Sequence, residues 1–181
     1  MAGASFDDST TIKTYAVETQ GMTRPTLAVC DLATNEVICM SRSYDFGRHV
    51  VIETPSQPGV PIAEATIPLF GTTVEVDVRG RGFAIEKTGF FNARHTFTTA
   101  SGEVLSWKGG VADLICLDAN DQKVAQLKSE TWTGKKKTLE IASYLEEDVL
   151  FSALVIYHYA RQKQSRKTRT LSLGIMGSFV R

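Results

Sequence analysis

The residues that could do chemistry in this chain are three histidines, three cysteines and several groups of basic side chains. His49, His95 and His158 lie far apart in the sequence, and neither His-x-x-x-His nor Cys-x-x-Cys spacing occurs. Short spacings of this kind bring zinc ligands together on one helix or turn. We therefore expect no metal and no other cofactor. His158 lies inside an apolar run, so we interpret it as a core histidine or one at the mouth of the fold.

Nucleophilic catalysis finds little support in the sequence. No Gly-x-Ser-x-Gly turn is present. Cys30, Cys39 and Cys116 each lie in an apolar run, where a free cysteine packs as a small hydrophobic residue. The stretch "RGRG" at 79–82 lacks the Gly-Lys-Ser/Thr ending and the following helix of a phosphate-binding loop. The prediction is a protein that is not an enzyme.

Groups of basic residues remain as candidates for binding anions. Clustered lysines near a surface attract anionic lipid head groups by about 1 kcal/mol per charge. The alternative is that these residues lie on solvated turns, or at a helix C-terminus where the helix dipole favours cations. The candidate residues are Lys135, Lys136, Lys137, Arg79, Arg81, Arg161, Lys163, Arg166, Lys167 and Arg169.

The formal net charge is zero, but the charges are distributed unevenly. Residues 161–181 carry six basic side chains and no acid, so the rest of the chain is acidic. A neutral protein lacks the broad basic face of a nucleic-acid-binding domain, and we expect no nucleic-acid partner. The first residues show no charged segment followed by an apolar one, so no signal peptide is expected. An odd number of unpatterned cysteines fits a reducing compartment. The predicted location is intracellular: cytoplasmic, with peripheral membrane attachment as an option.

The chain reads mainly as short strands. "TTVEVDV" alternates strictly, with Val74, Val76 and Val78 on one face, which is typical of a half-buried strand. We count about ten strand-sized runs separated by turns, a pattern that favours an antiparallel barrel or sandwich. The proline-rich stretch at 55–61 is predicted to be a loop. Residues 1–10 are predicted to form a flexible tail.

One strong helix follows the strands. Residues 149–160 are apolar on all sides, with only Ser152 and His158 polar. A membrane-spanning helix needs roughly 20 apolar residues, and a surface helix needs a polar face. This segment has neither, so we predict no transmembrane span and a helix buried inside the strands, over about residues 145–163. Its length, about 28 Å at 1.5 Å per residue, is enough to cross a barrel.

Several ordered motifs between residues 90 and 167 resemble the C-terminal half of the tubby-like superfamily. More narrowly, these motifs resemble small fungal members of uncharacterised function. The matching pattern is an F-T-x-x-x-G hairpin, a Trp-Lys pair, a Leu-x-Cys-x-Asp strand, a Val-Ala strand and an Asp-led apolar helix with a basic end. Residues 25–88 fit more loosely. The residues that carry the pattern are Phe97, Thr98, Gly102, Trp107, Lys108, Leu114, Cys116, Asp118, Val124 and Ala125.

The resemblance implies a mainly β fold, a closed antiparallel barrel of roughly twelve strands around a central hydrophobic helix. The superfamily includes tubby proteins, phospholipid scramblases and plant LURP-one proteins, and it is associated with phosphoinositide binding and lipid handling. The expected domain spans residues 11–169. In tubby proteins the helix lies near the chain end, whereas here residues 170–181 follow as a strand, a flap or a partner-binding tail.

Two functions are consistent with this sequence. The first is a tubby-like domain without catalytic activity that binds anionic lipid or phosphoinositide head groups at a membrane surface. The alternative is a protein-interaction, scaffold or oligomeric protein. In that case residues 170–181, an apolar segment after a basic one, would contact a partner or a second copy of the chain.

Overall fold

The computed structural model describes residues 6, 10–21, 26–69, 71–89, 94–131 and 134–176, with the backbone alone at 146 and 166–176. Apart from Phe6 and Thr10, the predicted N-terminal tail lies outside this part of the chain. Residues 177–181, the end of the predicted C-terminal extension, also lie outside it.

Twelve antiparallel strands form one closed barrel in the described part of the chain. The strands are β1 Ile12–Gln20, β2 Thr26–Asp31, β3 Glu36–Tyr44, β4 His49–Glu53, β5 Pro61–Thr66, β6 Thr73–Val78, β7 Arg81–Thr88, β8 Arg94–Thr98, β9 Val104–Gly109, β10 Asp113–Leu117, β11 Lys123–Ser129 and β12 Lys136–Ala142. Each strand pairs with the next in sequence, and β1 pairs with β12 to close the barrel. The predicted fold class is confirmed.

Alternation of side chains gives the barrel its apolar interior. In β6, Val74, Val76 and Val78 are buried, while Glu75 and Asp77 between them are exposed. This is the period of two expected for a strand with one face on the core. Closure removes the free strand edges at which an open sheet would pair with another chain.

Two strands were not among the runs identified in the sequence. In β1 only Tyr15 and Val17 are buried, so the apolar signal is short. In β5 the buried positions are Ala63 and Ala65, whose small side chains give a weak alternating pattern. The predicted loop at 55–61 is confirmed except for Pro61, which begins β5.

A single long helix, α1, spans Glu146–Met176 and follows a 3₁₀ turn over Ser143–Leu145. From Val149 to Tyr159 every side chain is buried, with none more than 6 % exposed. The barrel therefore encloses the helix, as predicted. The helix is longer than the predicted 145–163: residues 170–176, for which we expected a strand, a flap or a tail, continue it. No proline interrupts this stretch, and its first glycine is Gly174.

Buried polar groups on the helix have partners on the barrel wall. The Trp107 indole nitrogen in β9 donates a hydrogen bond to the Ser152 hydroxyl, at 2.9 Å. Ser152 in turn donates to the carbonyl of Val149, at 3.0 Å. The Ser41 hydroxyl in β3 lies 3.0 Å from Nε2 of His158. These bonds fix the rotation of the helix, because an unpaired buried polar group costs about 1–3 kcal/mol.

The first turn of the helix is held by an acidic anchor. Asp148 accepts hydrogen bonds from the Arg81 guanidinium and, at 2.6 Å, from the backbone N–H of Ala100. Its neighbour Glu147 pairs with Arg79 at 3.1 Å. Acidic side chains are also favoured here by the positive end of the helix dipole. The turns after β6 and β8 are thereby tied to the start of α1.

We expect Asp148→Ala to lower the free energy of unfolding by about 2 kcal/mol, because it leaves Arg81 and the Ala100 N–H without their buried acceptor. The matched change Glu147→Ala removes a pair whose side chains are 62 % and 47 % exposed and should cost less than about 1 kcal/mol. Urea unfolding measures both. Equal effects of the two changes would contradict the anchoring role of Asp148.

Stability should also fall in mild acid through His158. Burial, and secondarily the charge of Arg161, lowers the pKa of His158 from 6.5 to about 4. The unfolded chain therefore takes up a proton at a higher pH than the folded chain, and stability is lost as pH falls between these values. This loss is about 2 kcal/mol between pH 7 and pH 5.

The variant His158→Gln should lack this part of the loss, as measured by urea unfolding at the two pH values. His95, whose pKa burial also lowers to about 4, remains in both proteins and gives a common background loss. The same acid loss in variant and wild type would show that His158 is not the group that titrates.

Candidate functional site

A half-enclosed cavity of about 1250 Å³ lies at the end of the barrel where α1 emerges. Its walls come from the turn between β9 and β10, the end of β11, the turn before β12, and the helix. We call it the basic cavity because four of its lining side chains are cationic. Its lining residues are Thr19, Gly21, Val111, Ala112, Asp113, Lys128, Ser129, Thr131, Gly134, Lys135, Lys137, Tyr157, Arg161 and Gln164.

Lys137 is the innermost cation of the basic cavity and is only 2 % exposed. Its ammonium donates to the Ser129 hydroxyl at 2.6 Å and to the Val111 carbonyl at 3.0 Å. The same nitrogen lies 5.0 Å from the centre of the Tyr157 ring, a cation–π distance. Burial, followed by the charge of Arg161, lowers the pKa of Lys137. The amine is thus held in place by the protein but poorly solvated.

The alternation of β12 explains why Lys137 faces inward. Leu139 and Ile141 share its side of the strand and are fully buried, while Lys136 lies on the outer side. Lys136 pairs there with Glu18 at 3.4 Å. Adjacent lysines in one sequence run therefore occupy opposite faces of the barrel wall.

Lys128, Lys135 and Arg161 surround the opening of the cavity. Lys128 and Lys135 are exposed, and Arg161 is partly buried at the first turn of α1 beyond the enclosed segment. Asp113 is the one carboxylate in the lining, and it accepts a hydrogen bond from the Gln126 amide at 2.9 Å. Four cations and one acid give the cavity an excess of positive charge.

The turn that supplies the Val111 carbonyl depends on a glycine. Gly109 has a φ of +112°, and a Cβ at this position would lie 2.1 Å from the carbonyl oxygen of Asp113. Only glycine avoids this overlap. Gly110 N–H and the Asp113 carbonyl close the turn with a hydrogen bond of 2.9 Å. The backbone acceptor for Lys137 is therefore held rigidly.

Three of the ten predicted anion-binding residues, Lys135, Lys137 and Arg161, line the basic cavity. Lys163 is nearby on the helix and lies over the Tyr159 ring at 4.2 Å. Lys136 faces away. The side chains of Arg166, Lys167 and Arg169 are outside the described residues, although the helical backbone continues through them.

Arg79 and Arg81 do not belong to this site. They lie against the first turn of α1, at the opposite end of the barrel, and pair with Glu147 and Asp148. Their charges are neutralised by the helix and help hold it in place. We proposed them from the sequence as anion-binding candidates on a separate turn; their acidic partners, 67 or more residues away in the sequence, were not visible there.

The histidines and cysteines do not form a second site in the described part of the chain. No group of three or more histidine, cysteine, aspartate or glutamate side chains converges there. His158 is a satisfied core histidine, as interpreted from the sequence. Cys39 and Cys116 are buried, and burial raises the pKa of the Cys39 thiol to about 12. Such thiols are protonated and poorly reactive at neutral pH.

Sequence analysis did not identify Lys128, Ser129, Val111 and Tyr157 as parts of a site. Ser129 could have been identified from the sequence, because the hairpin between β11 and β12 pairs it with Lys137. Lys128 precedes it on the same strand. Val111 and Tyr157 line the cavity because the barrel is closed and the helix lies inside it. No local sequence pattern predicts these positions.

Comparison with protein-family models, curated proteins and solved structures finds no match to this chain. Among the described residues, no helix has an apolar stretch long enough to cross a membrane.

We expect Lys137→Ala to lower the free energy of unfolding by about 1–3 kcal/mol, because it leaves the Val111 carbonyl and the Ser129 hydroxyl without a donor. Lys136→Ala, one position away but exposed, should change it by less than about 1 kcal/mol. Urea unfolding at neutral pH compares the two. A larger loss for Lys136→Ala would contradict the inward position of Lys137.

Proposed function

We propose that this chain is a tubby-like domain without catalytic activity that binds anionic lipid or phosphoinositide head groups at a membrane surface. The observation that carries the proposal is the convergence of Lys128, Lys135, Lys137 and Arg161 on one cavity. The remaining lining includes an exposed carboxylate, Asp113, which can accept a hydrogen bond from a sugar or inositol hydroxyl.

The electrostatics of the cavity favour an anionic ligand. Lys137 and Arg161 carry like charges in a partly desolvated space, and burial followed by the charge of Arg161 disfavours the charged form of Lys137. A phosphate group between them would reverse this effect and raise the pKa of Lys137. Positive side chains with low-dielectric walls also concentrate anions from solution.

The architecture supports the tubby-like part of the proposal. The motifs from Phe97 to Ala125 and the Asp-led helix led us to expect a barrel of about twelve strands around a hydrophobic helix. A closed twelve-stranded barrel with one enclosed helix agrees with that expectation. Since many functions share one fold, the lipid ligand rests on the basic cavity rather than on the architecture.

We expect the wild-type protein to co-sediment with vesicles that contain phosphoinositide, less with vesicles of neutral lipid, and less at physiological than at low salt. The double variant Lys128→Gln/Lys135→Gln should bind the anionic vesicles about 30-fold more weakly. Both residues are exposed, so the fold should persist, and each contributes on the order of 1 kcal/mol to attraction by an anionic surface.

The matched control is Lys136→Gln/Lys123→Gln, which removes two positive charges from outside the cavity and should retain most of the binding. Equal losses in both double variants would show attraction by net charge and exclude a specific site. Absence of wild-type binding in all conditions would favour the alternative role as a protein-interaction or scaffold protein. The molar mass of the full chain and of a truncation after Thr170 would then test self-association.

A further inference from the structure

Phe46 is the most exposed large hydrophobic side chain in the described part of the chain, at 92 %. It lies in the tight turn Asp45–Gly47 between β3 and β4. A single exposed apolar residue needs no explanation in itself. Two further observations indicate a function for Phe46: the unusual backbone conformation of its turn, and its position at the same end of the barrel as the basic cavity.

The backbone of this turn holds Phe46 outward at a conformational cost. Asp45 and Phe46 have φ values of +49° and +58°, a region that bulky side chains rarely adopt. The turn is braced by Gln162 on α1, whose amide nitrogen donates to the Phe46 carbonyl at 3.2 Å. A Cβ on Gly47 would lie 3.3 Å from the Gln162 side chain, so helix and turn are in close contact. Strain that persists under such bracing is characteristic of functional turns.

The helix places the Phe46 turn at the same end of the barrel as the basic cavity. Arg161 lines the cavity, and the next residue, Gln162, holds the Phe46 turn. Both therefore flank the point where α1 leaves the barrel. A second exposed apolar side chain, Leu69 at 47 %, lies in the adjacent loop, which the hydrogen bond from Ile67 N–H to the Arg48 carbonyl ties to the same turn.

Charge distinguishes this end of the barrel from the other. The opposite end also exposes apolar side chains, including Tyr144 at 65 %. Tyr144 lies close enough to Glu103 and Asp118 for these carboxylates to raise its pKa further, after burial, which is the main cause. Tyr144 therefore has carboxylates as its charged neighbours. At the Phe46 end, Arg161 and Lys163 begin a helical segment with five basic residues and no acid over 161–169.

We propose that Phe46, together with Leu69 in the adjacent loop, inserts into the interfacial region of an anionic bilayer while the basic cavity holds a head group. This inference rests on the proposed function and adds to it a defined membrane-facing surface. The aromatic ring supplies apolar area at head-group depth, where aromatic residues are favoured, and the basic helix follows the charged surface. Charge complementarity with the cavity selects lipid rather than a second protein.

The test separates insertion from head-group binding with two probes. Vesicles of phosphatidylcholine with phosphoinositide report on the whole surface, and soluble inositol hexakisphosphate reports on the cavity alone. Phe46→Asn removes the aromatic ring and introduces a residue that tolerates positive φ, so the turn should keep its conformation. We expect it to weaken vesicle binding about tenfold and to leave inositol hexakisphosphate binding unchanged. Tyr144→Asn, an exposed aromatic at the opposite end, should change neither.

A second variant reports on insertion directly. Phe46→Trp should bind vesicles like the wild type, and brominated acyl chains should quench the emission it adds to that of the native tryptophans. Absence of this extra quenching on bound vesicles overturns the insertion of Phe46.

The remaining outcomes distinguish the two proposals. Vesicle binding that survives Phe46→Asn but is lost in Lys128→Gln/Lys135→Gln overturns the inference and supports the proposed function. Vesicle binding that is lost in Phe46→Asn but survives in Lys128→Gln/Lys135→Gln supports the membrane contact of Phe46 and overturns the role of the cavity. Loss of both vesicle and inositol hexakisphosphate binding in Phe46→Asn makes Phe46 a structural part of the cavity. A change in molar mass without a change in vesicle binding makes it a self-association contact.

Discussion

The enclosed helix is the constraint on which the rest of the structure depends. From Val149 to Tyr159 it has no polar face, so no surface of the segment can be left in water without a loss of hydrophobic free energy. A single sheet can cover one side of a helix, and two can cover opposite sides, but only a closed barrel covers all of them. Closure also obliges the few polar atoms of the helix to find partners on the wall, which Ser152 and His158 do.

The direction of the helix then gives the barrel two different ends. Its N-terminus favours acids, and Asp148 and Glu147 there pair with arginines from a neighbouring turn. At the other end, Arg161 lies in the first turn of the helix beyond the enclosed segment, close enough to Lys137 on the barrel wall for its charge to lower the pKa of that amine. The arginines at the first end are engaged in holding the helix, whereas the cations at the second end face an open cavity. The acidic first turn of the helix thus separates the paired arginines at one end from the basic residues that line the cavity at the other.

Much of this architecture can be predicted from the sequence, because a helix that is apolar on all sides and a strand with alternating side chains are both local patterns. The predicted helix, the strand at β6 and the closed barrel are confirmed. The composition of the site was predicted only in part, since convergence depends on strand pairing and barrel closure. Arg81 was proposed as an anion-binding candidate because its partner Asp148, 67 residues away, could not be recognised from the sequence. Lys137 was a candidate from the sequence, but its inward position was not predicted. That position follows from the alternation of β12, which places Lys137 on the same face as Leu139.

Lys137 is the residue on which the proposed role of the basic cavity depends most. A structural clamp for the Val111 carbonyl and the Ser129 hydroxyl needs a donor, and the amine provides it. A structural clamp does not need Arg161 nearby. Burial and then the charge of Arg161 both lower the pKa of the Lys137 amine, which makes its charged form less favourable. Nor does a clamp need an open cavity lined by two more lysines. Like charges held together in a partly desolvated site are unfavourable until an anion lies between them, and perturbed groups of this kind concentrate at functional sites. The arrangement is therefore the physical basis on which we propose a ligand with negative charge.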